Sequence, residues 1–319
     1  MGEQIDAVYT WVDGSDPEFQ DSFRSYASAQ PDAPGLSRFR NNDELRYSLR
    51  SVFRFAPWIR RIHILTNGQV PSWLDSSHEK IHLVTHAEVF PDPECLPTFN
   101  SNAIEMCLHR IPGLSRRFIY FNDDVFLGRN VQPSDFFLKG GGQKVFVQNT
   151  RLPSDPDHGS SRDRACAYTQ NVLTQLWGPP SVPRRLPAHT PQAYDRDILL
   201  HLESMLQSEF QKTASHRFRS RDDLVLSVLY GYSLSEAIEE RSRHELLSLM
   251  GLSRDYSFLM LDDNFAWAMR VYLDILLKQP RFFCINDDMT GVPPHHPLLL
   301  SLRTFLRLYF PWRAAAERG

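Results

Sequence analysis

Two distant stretches of this chain end in the same triplet. Phe118-Ile119-Tyr120-Phe121 runs into Asn122-Asp123-Asp124, and Phe282-Phe283-Cys284-Ile285 runs into Asn286-Asp287-Asp288. Each apolar run reads as a short buried strand. Two adjacent carboxylates at the end of such a strand repel each other, and one must protonate unless a cation or a donor arrives. In open α/β sheets ligands collect at the carboxyl ends of strands. A Mg²⁺-type ion, with carboxylates on one side and a phosphate on the other, fits that place. A lone Asn-Asp-Asp is ordinary turn chemistry. Its recurrence favours a ligand site, because adjacent sheet positions would gather four carboxylates.

Other polar groups bear on the same chemistry. His189 stands between Pro187 and Pro191, a bracket that fixes the backbone and suits an imidazole that must be aimed. His216–Asp223 (HRFRSRDD) is dense in Arg, either plain surface or a brace for the charge of a transferring phosphate. Arg38, Arg40, Asn41, Asn42, Asp43 and Glu44 open an expected helix, as a phosphate seat or as a salt-bridged first turn. Asp13-Gly14 closes the first strand and precedes a helix. That is half of a nucleotide-binding unit, without its GxGxxG fingerprint. His63, His82 and His109 read as packed or surface residues and not as metal ligands.

The elements that must position these groups follow from periodicity and punctuation. Strands are expected at Ile5–Val12, Arg61–Thr66, Lys80–Thr85, Phe118–Phe121, Lys144–Gln148 and before Asn286. Helices are expected from Pro17, capped by Asp16, to about Ala29, and at Arg38–Ala56, Ala103–His109, Arg164–Leu176, Ala193–Phe210, Asp222–Leu229 and Phe265–Leu277. Gln30–Gly35 reads as a Pro-rich break, and Ser154–Asp163 as a loop or lid. The β-α-β-β order points to a mostly parallel sheet. Residues 1–150 are expected to form the α/β core, 151–263 a mostly helical insertion over the strand ends, 264–292 a return to the core, and 293–319 an amphipathic helix. The apolar face of Pro297–Phe310 suits either the protein's own core or a membrane interface.

Bulk composition sets limits. The chain has 319 residues, 42% hydrophobic and 23% charged, with a net charge of −3. That is an ordinary globular composition, without the basic surplus of a general nucleic-acid binder. The 30 Arg against 5 Lys carry little functional information, because a GC-rich genome gives the same bias. Cys95, Cys107, Cys166 and Cys284 have neither zinc nor disulfide-scaffold spacing. With a strand expected from Ile5 and no long apolar run, the reading is a cytoplasmic protein. It would at most touch the inner face of the plasma membrane through its last helix.

Four runs carry a resemblance: IDAVYTWVDGSDP; FRNNDELRYSLRSVFRFAPWIRRIHILTNGQVPSWL; TFNSNAIEMCLHRIPGLSRRFIYFNDDVFLG; and CINDD. They resemble the four conserved regions of the Stealth family of sugar-phosphate transferases. That family includes bacterial capsule polymerases and the α/β subunits of the lysosomal-enzyme GlcNAc-1-phosphotransferase. PAHTP and HRFRSRDD resemble the stretch between its third and fourth regions. The resemblance implies a glycosyltransferase-A-like α/β fold. It implies transfer of a sugar 1-phosphate from a nucleotide sugar, typically UDP-GlcNAc, to a sugar hydroxyl, with release of UMP and a need for Mg²⁺ or Mn²⁺. Position by position it implies active-site roles for Asp124, His189 and Arg219 and metal binding by Asp288 or Asp287. Asp123 is expected to join Asp287 and Asp288 as a metal ligand. His189 is the first choice of general base and Asp124 the second, provided its neighbours hold the metal. Substrate binding falls to Asp13, Gly14, Arg40, Asn42, Asp43, Asn100 and Ser101. Asn102 stands where a His is common and receives no catalytic role. Without membrane spans or the accessory modules of the lysosomal enzyme, the chain looks bacterial, and a glycan acceptor is expected over a protein. Two rival readings are an ordinary glycosyltransferase releasing UDP and an inactive glycan- or nucleotide-binding protein.

Overall fold

The computed structural model describes residues 3–28, 35–237 and 244–318. The expected helix end at Ala29 and most of the Gln30–Gly35 break lie outside the described residues. The first half of the chain runs β1 (Ile5–Thr10), α1 (Pro17–Ala27), α2 (Glu44–Phe55), β2 (Ile62–Thr66), β3 (Ile81–Thr85), α3 (His86–Val89), α4 (Ser101–Glu105), β4 (Arg117–Asn122), β5 (Val125–Leu127) and β6 (Lys144–Arg151). The second half runs α5 (Ser161–Trp177), β7 (Arg185–Pro187), β8 (Gln192–Asp195), α6 (Arg196–Met205), α7 (Gln207–Ser215), α8 (Leu226–Glu236), β9 (Glu245–Ser248), β10 (Tyr256–Leu261), α9 (Phe265–Lys278), β11 (Phe282–Asp287) and α10 (Pro297–Tyr309).

The main sheet has the order β3-β2-β1-β4-β8. β1 lies parallel to β2 and to β4, β2 lies parallel to β3, and β8 closes the edge antiparallel to β4. Successive strands leave β1 in opposite directions, so a topological switch falls between β1 and β4, where such sheets hold ligands. Both faces are covered: Val8, Leu65, Val84 and Phe118 pack on one side, Ala7, Tyr9, Ile64 and Ile119 on the other. Coverage on both faces is why these strands read as continuous apolar runs. Asp16 caps α1 as expected, accepting from Phe19 N at 2.8 Å ahead of Pro17.

The structure departs from expectation in three places. The two Asn-Asp-Asp strands are not neighbours in one sheet. β4 turns through Asp123-Asp124 into β5, which leaves the main sheet and pairs antiparallel with β11 in a second sheet, β10-β11-β5. The triplets therefore meet across a corner, with Cys284 opposite Val125. α2 begins at Glu44 and not at Arg38, because Asp43 takes a left-handed conformation (φ 67°) that interrupts the chain after a 3₁₀ turn at Leu36–Phe39. The stretch 151–263 is less helical than expected, since it also supplies β7, β8, β9 and β10. Gln192–Asp195 reads as a helix start because 3.6-periodic residues follow it, yet its backbone completes the main sheet and Asp195 caps α6.

The expected stripe of α10 docks on the protein itself. Leu298, Leu299, Leu302, Phe305 and Leu306 are buried, and Phe305 stacks on Tyr272 of α9 at 4.4 Å. No helix among the described residues is long and apolar enough to cross a membrane. Past α10, Glu317 returns to α2. Its fully buried carboxylate takes Arg50 Nε at 2.6 Å and Arg46 Nε at 2.7 Å. These bonds hold α2, whose N-terminus faces the strand ends. Removing one partner of a buried pair leaves the other charge uncompensated. Glu317→Ala is expected to cost about 3–5 kcal/mol in urea unfolding, against a near-neutral effect if the pair were solvent-screened.

Candidate active site

A cavity of about 640 Å³ opens at the carboxyl ends of β1 and β4, on the topological switch. Thr10, Tyr120, Asn122, Asp123 and Asp124 come from the strand ends, Ser101 and Glu105 from α4, and Arg162 from the first turn of α5. The β7–β8 loop brings His189, the segment before α8 brings Arg219, and the end of β11 brings Asp287 and Asp288.

The carboxylates form the sharper half of the site. Asp124 Oδ2 accepts from Asn286 Nδ2 at 2.9 Å and from the Cys284 thiol at 3.5 Å. Its Oδ1 is buried without a hydrogen-bond partner. Burial, then Asp124 and Glu44, hold the Asp123 carboxyl well above the usual carboxylate range. Burial also raises Asp124, against the two bonds to Asn286 and Cys284. Glu44 is pushed up to about 7 by burial. Asp287 is differently placed: Arg40 Nη1 meets its Oδ2 at 2.8 Å, and Asn42 Nδ2 donates to the same oxygen at 3.0 Å. Arg40 already neutralises it. Asp288 is exposed at the cavity mouth.

No group of three or more His, Cys, Asp and Glu is preassembled for a metal among the described residues. Mg²⁺ seldom needs one, because it commonly takes one or two carboxylates and completes its shell with water and substrate phosphate. The buried, unpartnered Oδ1 of Asp124 beside Asp123 fits such an ion. Asp123 and Asp124 would hold it, and Asp288 lines the same cavity.

Across the cavity the charge is positive. Arg219 Nη2 donates to Ser101 Oγ at 2.7 Å, and burial, then Arg38 and Arg162, push its guanidinium down to about 10. Neither Arg38 nor Arg162 has a salt-bridge partner among the described residues, although both line the cavity. The His189 ring stacks on Phe258 at 5.3 Å. Burial, then Arg162 and Arg219, push it down to about 3, so it is neutral. Glu105 shares a hydrogen bond with Tyr120, whose hydroxyl also meets Thr10 Oγ1 at 2.9 Å. Burial pushes Glu105 up to about 7, against Arg219 and Arg162.

Of the residues singled out from sequence, Arg40, Ser101, Asp123, Asp124, His189, Arg219, Asp287 and Asp288 line the cavity. The others frame it. Asp13 closes a turn, accepting from Ser15 N at 2.9 Å and Asn41 Nδ2 at 3.1 Å. Gly14 admits no side chain, since a Cβ there would lie 2.3 Å from Phe39 O. Buried Asn42 links Glu44, Asp287 and Arg303. Asp43 supplies the left-handed turn before α2. Asn100 caps α4 and, with Asn102, binds Asp223. Glu105 and Arg162 escaped the sequence reading. The signal for Glu105 was an acid inside an otherwise apolar helical run. Arg162 sat in a stretch expected to be a loop or lid.

The raised carboxyl of Asp123 has a stability consequence. In the unfolded chain it ionises in the ordinary range, while the fold resists ionisation, so stability falls as pH rises above that range. Asp123→Asn is expected to raise the Tm of the metal-free protein at pH 8, by about 2–4 °C for each kcal/mol relieved, and to leave it unchanged at pH 4. Equal Tm values at both pH values would show that the carboxylates do not strain the fold.

Conserved regions 1, 2 and 3 of Stealth proteins match residues 3–29, 38–145 and 188–233. The partition differs from the one expected: the FNDD run falls within region 2, and PAHTP with HRFRSRDD falls within region 3. The chain is 38% identical to exopolysaccharide phosphotransferase SCO2594 of Streptomyces coelicolor, over 99% of this chain and 52% of that one. It is 35% identical to exopolysaccharide phosphotransferase CpsY of Mycobacterium tuberculosis, over 98% of this chain and 58% of that one. The chain thus spans about half the length of the curated relatives it matches. Among solved structures, the bifunctional glycosyltransferase WbbM aligns with a TM-score of 0.49 at 11% identity, over 98% of this chain and 50% of that one. Galactosyltransferase LgtC with donor and acceptor sugar analogues aligns with a TM-score of 0.45 at 12% identity, over 96% and 95%. Neither likeness assigns a role to any residue here. Three Stealth regions in order over more than half of the chain, together with relatives matched along nearly its whole length, show that the chain belongs to the Stealth family.

Proposed function

We propose that this protein transfers a sugar 1-phosphate, GlcNAc-1-phosphate in the first instance, from a UDP-sugar to a hydroxyl of a glycan acceptor, releasing UMP. The observation that carries this reading is the charge layout of the cavity. Half-buried Asp123 and Asp124 share the cavity with the guanidinium groups of Arg38, Arg162 and Arg219. Carboxylates suit a cation and arginines suit phosphate oxygens, so a metal-bound diphosphate satisfies both sides at once.

The acceptor hydroxyl attacks the β-phosphorus in line. The bond from that phosphorus to the bridging oxygen breaks, and UMP departs with the electron pair. When bound at Asp123 and Asp124, Mg²⁺ or Mn²⁺ supplies neutralisation of diphosphate charge. Arg219, held by Ser101, steadies charge on the equatorial oxygens. His189 takes the hydroxyl proton. It is a weak base in the ligand-free cavity because burial, then Arg162 and Arg219, oppose its protonation. The diphosphate offsets the two arginines and so relieves the smaller part of that depression. Glu105, near pH 7 and in the same cavity, is the competing base, because a base works best with a pKa near the working pH.

The test is product analysis with UDP-GlcNAc, Mg²⁺ and a panel of glycan acceptors. UMP and a sugar phosphodiester are expected, whereas UDP would mean attack at the anomeric carbon and an ordinary glycosyltransferase. His189→Ala and Asp124→Ala should each lose at least about tenfold in kcat, since general bases typically contribute ~10²–10⁴-fold. His189→Ala should also erase the acidic limb of the kcat–pH profile while Glu105→Gln keeps it. The reverse pattern would make Glu105 the base.

A further inference from the structure

The cavity extends well beyond the groups that act on phosphorus. Its far end reaches His86, the first residue after β3. In the main sheet β3 stands three strand spacings from β4, with β1 and β2 between them. That places His86 about 14 Å from the Asp123-Asp124 corner. The phosphate chemistry sits at the β4 end. A nucleoside diphosphate anchored there, with its nucleoside lying over the β1–β3 half of the sheet, spans this distance.

His86 is unusual among the residues at this end. It is only 4% exposed, and its Nε2 is buried without a hydrogen-bond partner. Other polar groups of the cavity wall are already engaged. Thr98 Oγ1 accepts from Asn100 N at 3.3 Å, and Asn102 Nδ2 donates to Asp223 at 3.1 Å. Ile104 and Val225 add apolar wall. An engaged polar frame, apolar sides and one unpaired nitrogen make a slot for a planar ring with a polar edge. Burial pushes His86 down to about 4, so the imidazole is neutral, with one N–H and one lone pair, over the physiological range. A buried polar atom without a partner destabilises the fold, and ligand binding is one reason such an atom persists.

We propose that this end of the cavity is the nucleobase subsite, in which His86 Nε2 hydrogen-bonds an edge of the donor's base and thereby sets nucleotide selectivity. This assignment rests on the nucleotide-sugar reading given above, and the two can fail separately. His86 is a specificity residue remote from the reacting atoms, so it should govern nucleotide affinity and leave the diphosphate end untouched.

The test is calorimetric titration of the full chain, in Mg²⁺, with UDP and with inorganic pyrophosphate, which lacks a base. His86→Leu should weaken UDP binding by about tenfold or more, leave pyrophosphate within about twofold, and raise the ligand-free Tm by removing the unpaired nitrogen. A purely structural histidine would give the opposite: a lower Tm with UDP and pyrophosphate unchanged or weakened equally, and that result overturns the subsite. Should the Leu variant not fold, His86→Gln decides. Its ratio of UDP to CDP affinity should shift by at least about threefold, and an unchanged ratio overturns the proposal. If the wild-type chain binds neither UDP nor pyrophosphate, the donor reading itself fails.

Discussion

The architecture turns on one electrostatic conflict, the crowding of half-buried Asp123 and Asp124 side by side where β4 leaves the main sheet. Two neighbouring carboxylates in a low-dielectric corner are tolerated only with neutralisation. The protein supplies part of it. Asn286 and Cys284 reach Asp124 from β11, and the pairing of β11 with β5 keeps them there. Arg40 is committed to Asp287 and so does not quench the corner. On the function proposed above, a bound ligand supplies the remaining compensation.

The arginine side of the cavity is the counterpart of that conflict. Besides burial, Arg162 lowers the proton affinity of Arg38, and Arg38 and Arg162 lower that of Arg219, while no carboxylate bridges to Arg38 or Arg162 among the described residues. Like charges gathered on both sides of one cavity are costly in the free protein. A group that is anionic toward the arginines and metal-linked toward the carboxylates relieves both. The fold holds this arrangement through rigid connections: Glu317 to α2, Asp223 to α4, and the stacked aromatics beneath α10.

Much of the sheet was legible in the sequence because strands buried on both faces leave continuous apolar runs. β1, β2, β3, β4 and β11 were all visible in that way. β5 was not, since three apolar residues are too few to show a strand period. β8 was hidden because Gln192–Asp195 joins seamlessly to the periodic residues of α6. Which strand β11 pairs with is decided by tertiary packing, so the sequence does not show that the triplets meet at a corner. At the site, the Asn-Asp-Asp triplets, the Pro-bracketed His189 and the Arg-rich run stand out by local context, while Asp124 and Arg219 are singled out within them only by the resemblance to the family. Glu105 could not, since periodicity shows that a helix is buried without showing which side opens on a cavity. Arg162 depends on where a distant helix happens to begin.

The central claim is that Asp123 and Asp124 seat a cation that a diphosphate completes. It is tested most directly by locating Mn²⁺ through its anomalous scattering in crystals grown with UDP. The account predicts one Mn²⁺ bound by carboxylate oxygens of Asp123 and Asp124 and by oxygens of the diphosphate, with Arg219 on the opposite side of the phosphate. Diphosphate bound in the cavity while Mn²⁺ is absent from that corner, or Mn²⁺ seated elsewhere, would contradict it.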